Sequence, residues 1–334
     1  MQFGGGGTPP VGVLFDGAFE RIGDLLALAV LYGLQSKSEA RVASISVNRP
    51  DLTAAQFCDA VKTYYSGGGF FGGGLPVGAA MGTQRPLPVY AKLLAKKDEE
   101  DEPVFKTSLS SLIDTADPAI LMRNALTASQ PHNSIVVASG SLASVARLLA
   151  LRGSNLLIED TVRHLVIADP KNVDPKNGDA QRVFAEWPMP IYLCGAEIGD
   201  AIRYPAASIE SDFKGPKPNP FADAYRAFGE MPYDAPTAAA DAGLFAVRTK
   251  AGLFKLSDPG TFRVSASGAI ELEPSATGKH RRLILDETQK DNVVKALTQL
   301  ASTPPRPGGG RRGARPEAAP ANANGNQPAV VKKK

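Results

Sequence analysis

Val11-Gly-Val-Leu-Phe-Asp16-Gly-Ala-Phe-Glu20-Arg-Ile-Gly-Asp24-Leu-Leu-Ala-Leu-Ala-Val-Leu-Tyr-Gly33 decides the fold. Its first part is a short apolar run that stops at an acid, the pattern of a buried strand. From Asp24 onward the Leu/Ala-rich run is apolar nearly all round, as in a helix covered on every side. Strand, polar loop and buried helix in that order make the first half of a βαβ unit. In parallel sheets, ligands gather beyond the carboxyl ends of the strands. Asp16 therefore falls where such folds place their chemistry, and directly after Val-Leu-Phe it has no evident structural task.

The rest of the chain repeats the alternation. Arg41–Val47 reads as a strand ending at Asn48. A helix over about 52–65 follows, with Phe57, Val61 and Tyr64 at helical spacing and Asp51 or Asn48 available as its cap. Ser66-Gly-Gly-Gly-Phe-Phe-Gly-Gly-Gly lacks the Lys-Ser/Thr of a phosphate loop and reads as a mobile surface loop. Leu75–Ala80 suits a third strand, and the Lys-Lys-Asp-Glu-Glu-Asp-Glu run at 96–102 a solvated insertion. Further strands are expected at 134–139, 162–168 and 189–194, with helices near 118–129, 142–151 and 179–186. The alternation predicts an α/β fold: a mostly parallel central sheet with helices on both faces. Beyond it come helices near 220–228 and 236–248, short strands around 252–256, 261–265 and 280–285, and a last helix near 287–301.

The organisation expected is a flexible leader at 1–10, one α/β domain over 11–302, and a disordered basic Pro/Gly/Ala-rich tail at 303–334. The net charge of +3 divides unevenly, because the tail holds seven basic residues and one acid. The remaining body carries thirty basic against thirty-three acidic residues. A mildly acidic body lacks the clustered cations that nucleic-acid binding needs, so no nucleic-acid partner is expected. No apolar run is long enough to span a bilayer, so no membrane partner is expected either. The start shows no export signal, which makes a cytoplasmic location the default; export through a missing upstream signal and homo-oligomerisation stay open. Cys58 and Cys194 sit apart in apolar segments and read as buried thiols.

Asp16, Asn48 and Ser139 each end a predicted parallel strand, and Asp24 projects from the first turn of the helix that follows. Carboxylate, amide and hydroxyl oxygens form a hard donor set suited to Ca²⁺ or Mg²⁺ rather than zinc. Read one at a time, Asp24 also suits a helix-terminal hydrogen bond, and Asn48 and Ser139 suit turn positions. His132 reads as a turn residue, His164 as part of a strand, and His280 as one of a surface basic cluster with Lys279, Arg281 and Arg282. Trp187 and the Phe70-Phe71 pair read as packing more readily than as stacking surfaces for a base.

These segments, in this order, resemble the inosine/uridine-preferring nucleoside hydrolases. In that family the first strand runs into an Asp-x-Asp-Pro-Gly-x-Asp-Asp loop, whose counterpart here is the one-residue-longer Asp16–Asp24. Val42–Asn48 resembles the second strand with its substrate-pocket Asn, and Val136–Leu142 the loop whose carbonyl binds calcium. Asn172, Ala180–Phe184 and Pro190–Leu193 resemble the ribose-binding Asn segment and the strand after it. Tyr233-Asp234-Ala-Pro-Thr-Ala resembles the late acidic motif. The resemblance implies a calcium ion held by Asp16, Asp24, Ser139 and Asp234, with Asn48 and Asn172 binding a ribosyl substrate. It also implies attack by a metal-bound water on an N-glycosidic bond. Asp16 and a substituting Glu20 are the candidate catalytic residues, because the family's base Asp is Ala18 here. Gly23 replaces a further acid, Pro170-Lys171 stand where a ribose-binding acid is expected, and Tyr233 replaces a His. Two functions follow: a divergent calcium-assisted N-ribohydrolase, or a catalytically inactive relative that binds a ribosyl ligand or a protein partner. A likeness of Val-Leu-Phe-Asp16-Gly to haloacid-dehalogenase-type phosphatases fails at Ala18, where their second Asp belongs.

Overall fold

The computed structural model describes residues 9–66, 76–170, 176, 178–214 and 218–306. β1 (Val11–Gly17) is buried along its whole length, and α1 (Ile22–Ser36) buries all but its last residues and Gly23. β2 (Ala40–Val47), α2 (Leu52–Ser66), β3 (Val77–Ala79), α3 (Pro88–Leu94) and α4 (Pro118–Thr127) follow. Then come β4 (Ser134–Ser139), α5 (Ala143–Ala150), α6 (Ser154–Thr161), β5 (Val162–Ala168), α7 (Asp179–Glu186) and β6 (Ile191–Cys194). The chain continues through α8 (Ala196–Ala201), β7 (Arg203–Tyr204), α9 (Ala206–Ser211), α10 (Pro220–Phe228), β8 (Ala235–Pro236) and α11 (Ala238–Val247). It closes with β9 (Phe254–Leu256), β10 (Gly260–Val264), β11 (Ile270–Pro274), β12 (His280–Leu285) and α12 (Lys290–Ala301).

Strands β3-β2-β1-β4-β5-β6 lie side by side in that order and all pair in parallel. β12 extends the sheet in parallel, and β9, β10 and β11 add an antiparallel margin. The order reverses between β1 and β4, and a doubly wound sheet opens its ligand crevice at such a reversal. β1 ends at Asp16-Gly17 and β4 at Ser139, so the topology itself brings these residues to the crevice.

Alternate residues of the central strands feed two separate cores. Val13, Phe15, Val137 and Val166 pack with α1, α2 and α11, whereas Leu14, Val136, Leu165 and Ile167 pack with α4, α5 and α7. α1 is covered by the sheet, α11 and α12. Gly33 makes that possible, since a Cβ there would stand 2.1 Å from the carbonyl oxygen of Leu300. Asp51 caps α2 by accepting from the Ala54 N–H at 3.0 Å and the Thr53 hydroxyl at 2.7 Å.

Expected strands at 134–139 and 162–168 and helices at 179–186 and 220–228 coincide with β4, β5, α7 and α10. α6, α8, α9 and β11 were not anticipated; each is short and amphipathic or polar, with too few residues to show a period. The acidic run 98–102 is exposed, as expected. His280 is a correction. It is buried, accepts the Phe262 N–H on Nδ1 at 2.8 Å and stacks on the Phe262 ring, over which Arg282 also lies, 5.7 Å from the ring centre. The alternation of β12 turns His280 inward. Ser66 of the Gly-rich stretch 66–74 ends α2, and the rest of that stretch, the start of the leader and the tail from 307 lie outside the described residues. Among the described residues, no helix is long and apolar enough to cross a membrane.

Candidate functional site

Asp16, the sixth residue of β1, sits on the face of the sheet that carries α5 and has no exposed surface. Its Oδ2 accepts a hydrogen bond from Asn48 Nδ2 at 3.3 Å, and its Oδ1 has no partner. Burial pushes its carboxyl up from 3.8 to about 8; Asn48 and Ser144 oppose that shift, and the Asp24 charge adds to it. Burial thus favours the neutral form of Asp16.

Asn48 follows β2, with its backbone N–H on the Gly17 carbonyl at 2.9 Å. Besides Asp16, its Nδ2 faces the carbonyls of Ser139 at 2.9 Å and Ser141 at 3.2 Å. Three acceptors around that atom fix which end of the amide is nitrogen. Ser139 then donates its hydroxyl to Asp24 Oδ1 at 2.5 Å, and Asp24 Oδ2 accepts the Phe19 N–H at 2.8 Å. Burial raises the Asp24 carboxyl, countered chiefly by Ser139 and then by the Arg21 charge. Four residues singled out from sequence, Asp16, Asn48, Ser139 and Asp24, therefore form one continuous chain of hydrogen bonds.

The loop between Asp16 and Asp24 is held from both sides. Arg49 Nε donates to the Ala18 carbonyl and the Tyr90 hydroxyl to the Phe19 carbonyl, each at 2.7 Å. Phe19 is fully buried with φ 52°, a conformation that costs a non-glycine residue about 1 kcal/mol or more. Gly140, at φ 85°, turns against this loop so closely that a Cβ would lie 2.8 Å from the Ala18 Cβ.

Two residues were missed in the sequence reading. Asp169 follows β5 with φ 35°, and Arg21, the residue before α1, donates from NH1 to its Oδ2 at 2.7 Å. Asp169 could have been found by the criterion that found Asp16, an acid directly after a buried strand. Arg21 gave no signal of its own. Both line a cleft of about 340 Å³ together with Ala18, Glu20, Asp24, Ser139 and Gly140. An adjoining space of about 50 Å³ brings in Pro236, Ala238 and Ala239 from β8 and the start of α11.

The remaining expected residues lie elsewhere. Glu20 is exposed at the cleft mouth, 4.0 Å from Arg49. Asp234 is exposed and accepts the Ala206 N–H at 2.8 Å, capping α9 rather than lining the cleft. At the α11 wall stand proline and alanine, which offer no side-chain oxygen. Asn172 lies outside the described residues. The four-residue calcium set is therefore not assembled around the cleft, and no group of three His, Cys, Asp or Glu side chains is placed to hold a metal among the described residues.

No protein-family model matches the chain, and no curated protein matches it in sequence. Solved structures do match, 71 chains in all. A purine-preferring ribonucleoside hydrolase from Gardnerella vaginalis is 13% identical at a TM-score of 0.60, covering 87% of this chain and 99% of that one. A plant nucleoside hydrolase, PpNRh1, is 16% identical at 0.62, covering 89% and 100%. The type III effector XopQ, solved with adenosine diphosphate ribose, is 13% identical at 0.59, covering 89% and 94%. At these identities the likeness establishes the fold: the chain is nucleoside-hydrolase-like over nearly its whole described length.

Proposed function

We propose that this protein binds a small ribosyl ligand in the cleft at the β1/β4 reversal and does not hydrolyse it. The observation that carries the reading is the Asn48 amide. One Nδ2 occupies the Asp16 carboxyl and the Ser139 carbonyl, the oxygens that the resemblance assigns to calcium. With Ala18 at the base position, the one exposed carboxylate of the described cleft lining is Glu20, which stands at the mouth 4.0 Å from Arg49. The donor set around the cleft thus does not fit a divalent ion, and no hydrolytic step is derived through one.

What remains suits recognition. A volume of about 340 Å³ is at the small end of ligand sites and matches a sugar rather than a whole dinucleotide. Arg21 offers guanidinium donors beside the Asp169 and Asp24 acceptors, the alternation that a vicinal diol can satisfy in both directions. Solved structures with this fold include proteins named as nucleoside hydrolases and one solved with ADP-ribose.

The second reading is calcium-assisted N-ribohydrolysis, with Asp16 and Glu20 as catalytic residues and Asp16, Asp24, Ser139 and Asp234 around the ion. One observation favours it: Asp16 Oδ1 and Asn48 Oδ1 are both buried without a hydrogen-bond partner. Chromatography of inosine, uridine and adenosine incubated with the protein in calcium or in chelator separates the two readings. The binding reading expects no free base in either buffer. It also expects ribose or ADP-ribose to raise the unfolding temperature in chelator, as any ligand of the native state does by mass action. Calcium-dependent release of base would overturn it.

A further inference from the structure

We propose that Arg21 is the resident cation of the cleft, its guanidinium serving the carboxylates that a divalent ion would otherwise neutralise. Asp24 and Asp169 approach the cleft from different elements, the first turn of α1 and the end of β5, and both are nearly fully buried. Two carboxylates facing one small space need a positive charge or must take up protons. Arg21 sits between those elements and makes the 2.7 Å ion pair to Asp169. Its side chain is half exposed while that of Asp169 is only 8% exposed, so the guanidinium stands on the solvent side of the pair.

Three further features agree. Arg21 lowers the Asp24 carboxyl against the effect of burial, and Asp169, Asp24 and Glu20 in turn hold the guanidinium charged. Asp169 keeps a left-handed φ of 35° immediately before Pro170, where the chain ordinarily favours an extended conformation. The backbone is held there by the bond from the Asp169 N–H to the Cys194 carbonyl at 2.8 Å, and the carboxylate by Arg21. Asp234, which the resemblance places in the set, caps α9 instead, and the start of α11 presents Pro236, Ala238 and Ala239 to the cleft. With Asp234 outside the cleft, one positive charge in place of two suits the set that remains. A guanidinium also spreads its charge over a planar fork, so the pair with Asp169 still leaves positive charge felt at Asp24.

The inference concerns the cation and not the ligand, so it is tested without any riboside. The full-length chain is stripped of metal, and its thermal midpoint is read at low ionic strength with and without millimolar calcium or magnesium. The wild-type midpoint should not move. Arg21→Met should lower it, with a smaller loss in high salt, and Asp169→Asn added to Arg21→Met should restore part of what was lost. A rise of several degrees on adding calcium to the wild type would overturn the proposal. So would an Arg21→Met chain with the wild-type midpoint, or a double variant that loses the sum of the two single effects. If Arg21→Met does not fold, Arg21→Lys and Arg21→Gln carry the same comparison: the lysine variant should stay near the wild type and the glutamine variant should fall.

Discussion

Two strands of this sheet end in an acid at the same crevice, and the two acids are treated differently. Asp16 at the end of β1 is sealed off, receives one amide hydrogen bond at 3.3 Å, and is pushed up to about 8. Asp169 after β5 lines the cleft and pairs with Arg21 at 2.7 Å. The sequence signal is the same in both places, an acid after an apolar run. The partner decides the outcome: an amide leaves Asp16 without compensating charge, whereas a guanidinium supplies it. The site thus separates into a buried half around Asp16 and an open half around the Arg21–Asp169 pair.

That contrast is most sharply tested by pH. The folded Asp16 carboxyl titrates near 8 and the unfolded one near 3.8, so the folded state holds the extra proton between these values. Its contribution is therefore fully present below about pH 4 and is lost as pH rises to about 8. Asp241, buried in α11 with only the Thr237 hydroxyl on its carboxyl, is also pushed to about 8 and acts in the same direction. Asp16→Asn should remove part of this slope. Relative to the wild type, urea denaturation should show it gaining roughly 3 kcal/mol between pH 5 and pH 8. An Asp16→Asn curve parallel to that of the wild type would mean that Asp16 is ionised and compensated after all.

The next effect concerns the amide that closes the buried half. Asn48→Ala leaves the Ser139 and Ser141 carbonyls and Asp16 Oδ2 without their donor. Chemical denaturation at pH 6 should show a loss of about 2 kcal/mol. A loss below a few tenths would show that solvent satisfies those oxygens and that the half is not sealed.

Tyr90→Phe sharpens the comparison from the loop side. The variant loses only the bond to the Phe19 carbonyl, and the expected cost is about 1 kcal/mol, since that carbonyl is buried. Faster amide exchange at Phe19 and its neighbours should accompany it; unchanged exchange would place the rigidity of the loop elsewhere. Glu20→Gln should do least. Glu20 is exposed and 4.0 Å from Arg49, so stability should change by less than about 0.5 kcal/mol. Ligand-induced thermal shifts should also be unchanged, and a lost shift would return Glu20 to the working site.

Much of this molecule was legible beforehand, for identifiable reasons. The parallel strands are continuous apolar runs because helices cover both faces, and such runs stand out against polar loops. Asp16, Asn48 and Ser139 could be placed together because strand ends converge in this topology, whatever the loops do. The short elements α6, α8, α9 and β11 escaped because they contain too few turns or residues for a period to show. His280 was read outward from its basic neighbours, but strand alternation turned it into the core against Phe262. Asp234 was placed by its motif in a metal set, yet the local chain uses it to cap α9.

The loop from Asp16 to Asp24 shows where each kind of information stops. The sequence alone determined a buried strand, an acid at its end, a buried helix beyond it, and the presence of Ala18 and Gly23 where the family it resembles carries acids. These are properties of residue type and spacing, and they survive any arrangement of the neighbours. Tertiary structure alone decided that Asn48, 32 residues away, would cover Asp16, and that Arg21 would find Asp169 across 148 residues. Protonation, charge and access at a carboxylate depend on what lies within a few ångströms, and that neighbourhood exists only once the sheet has closed.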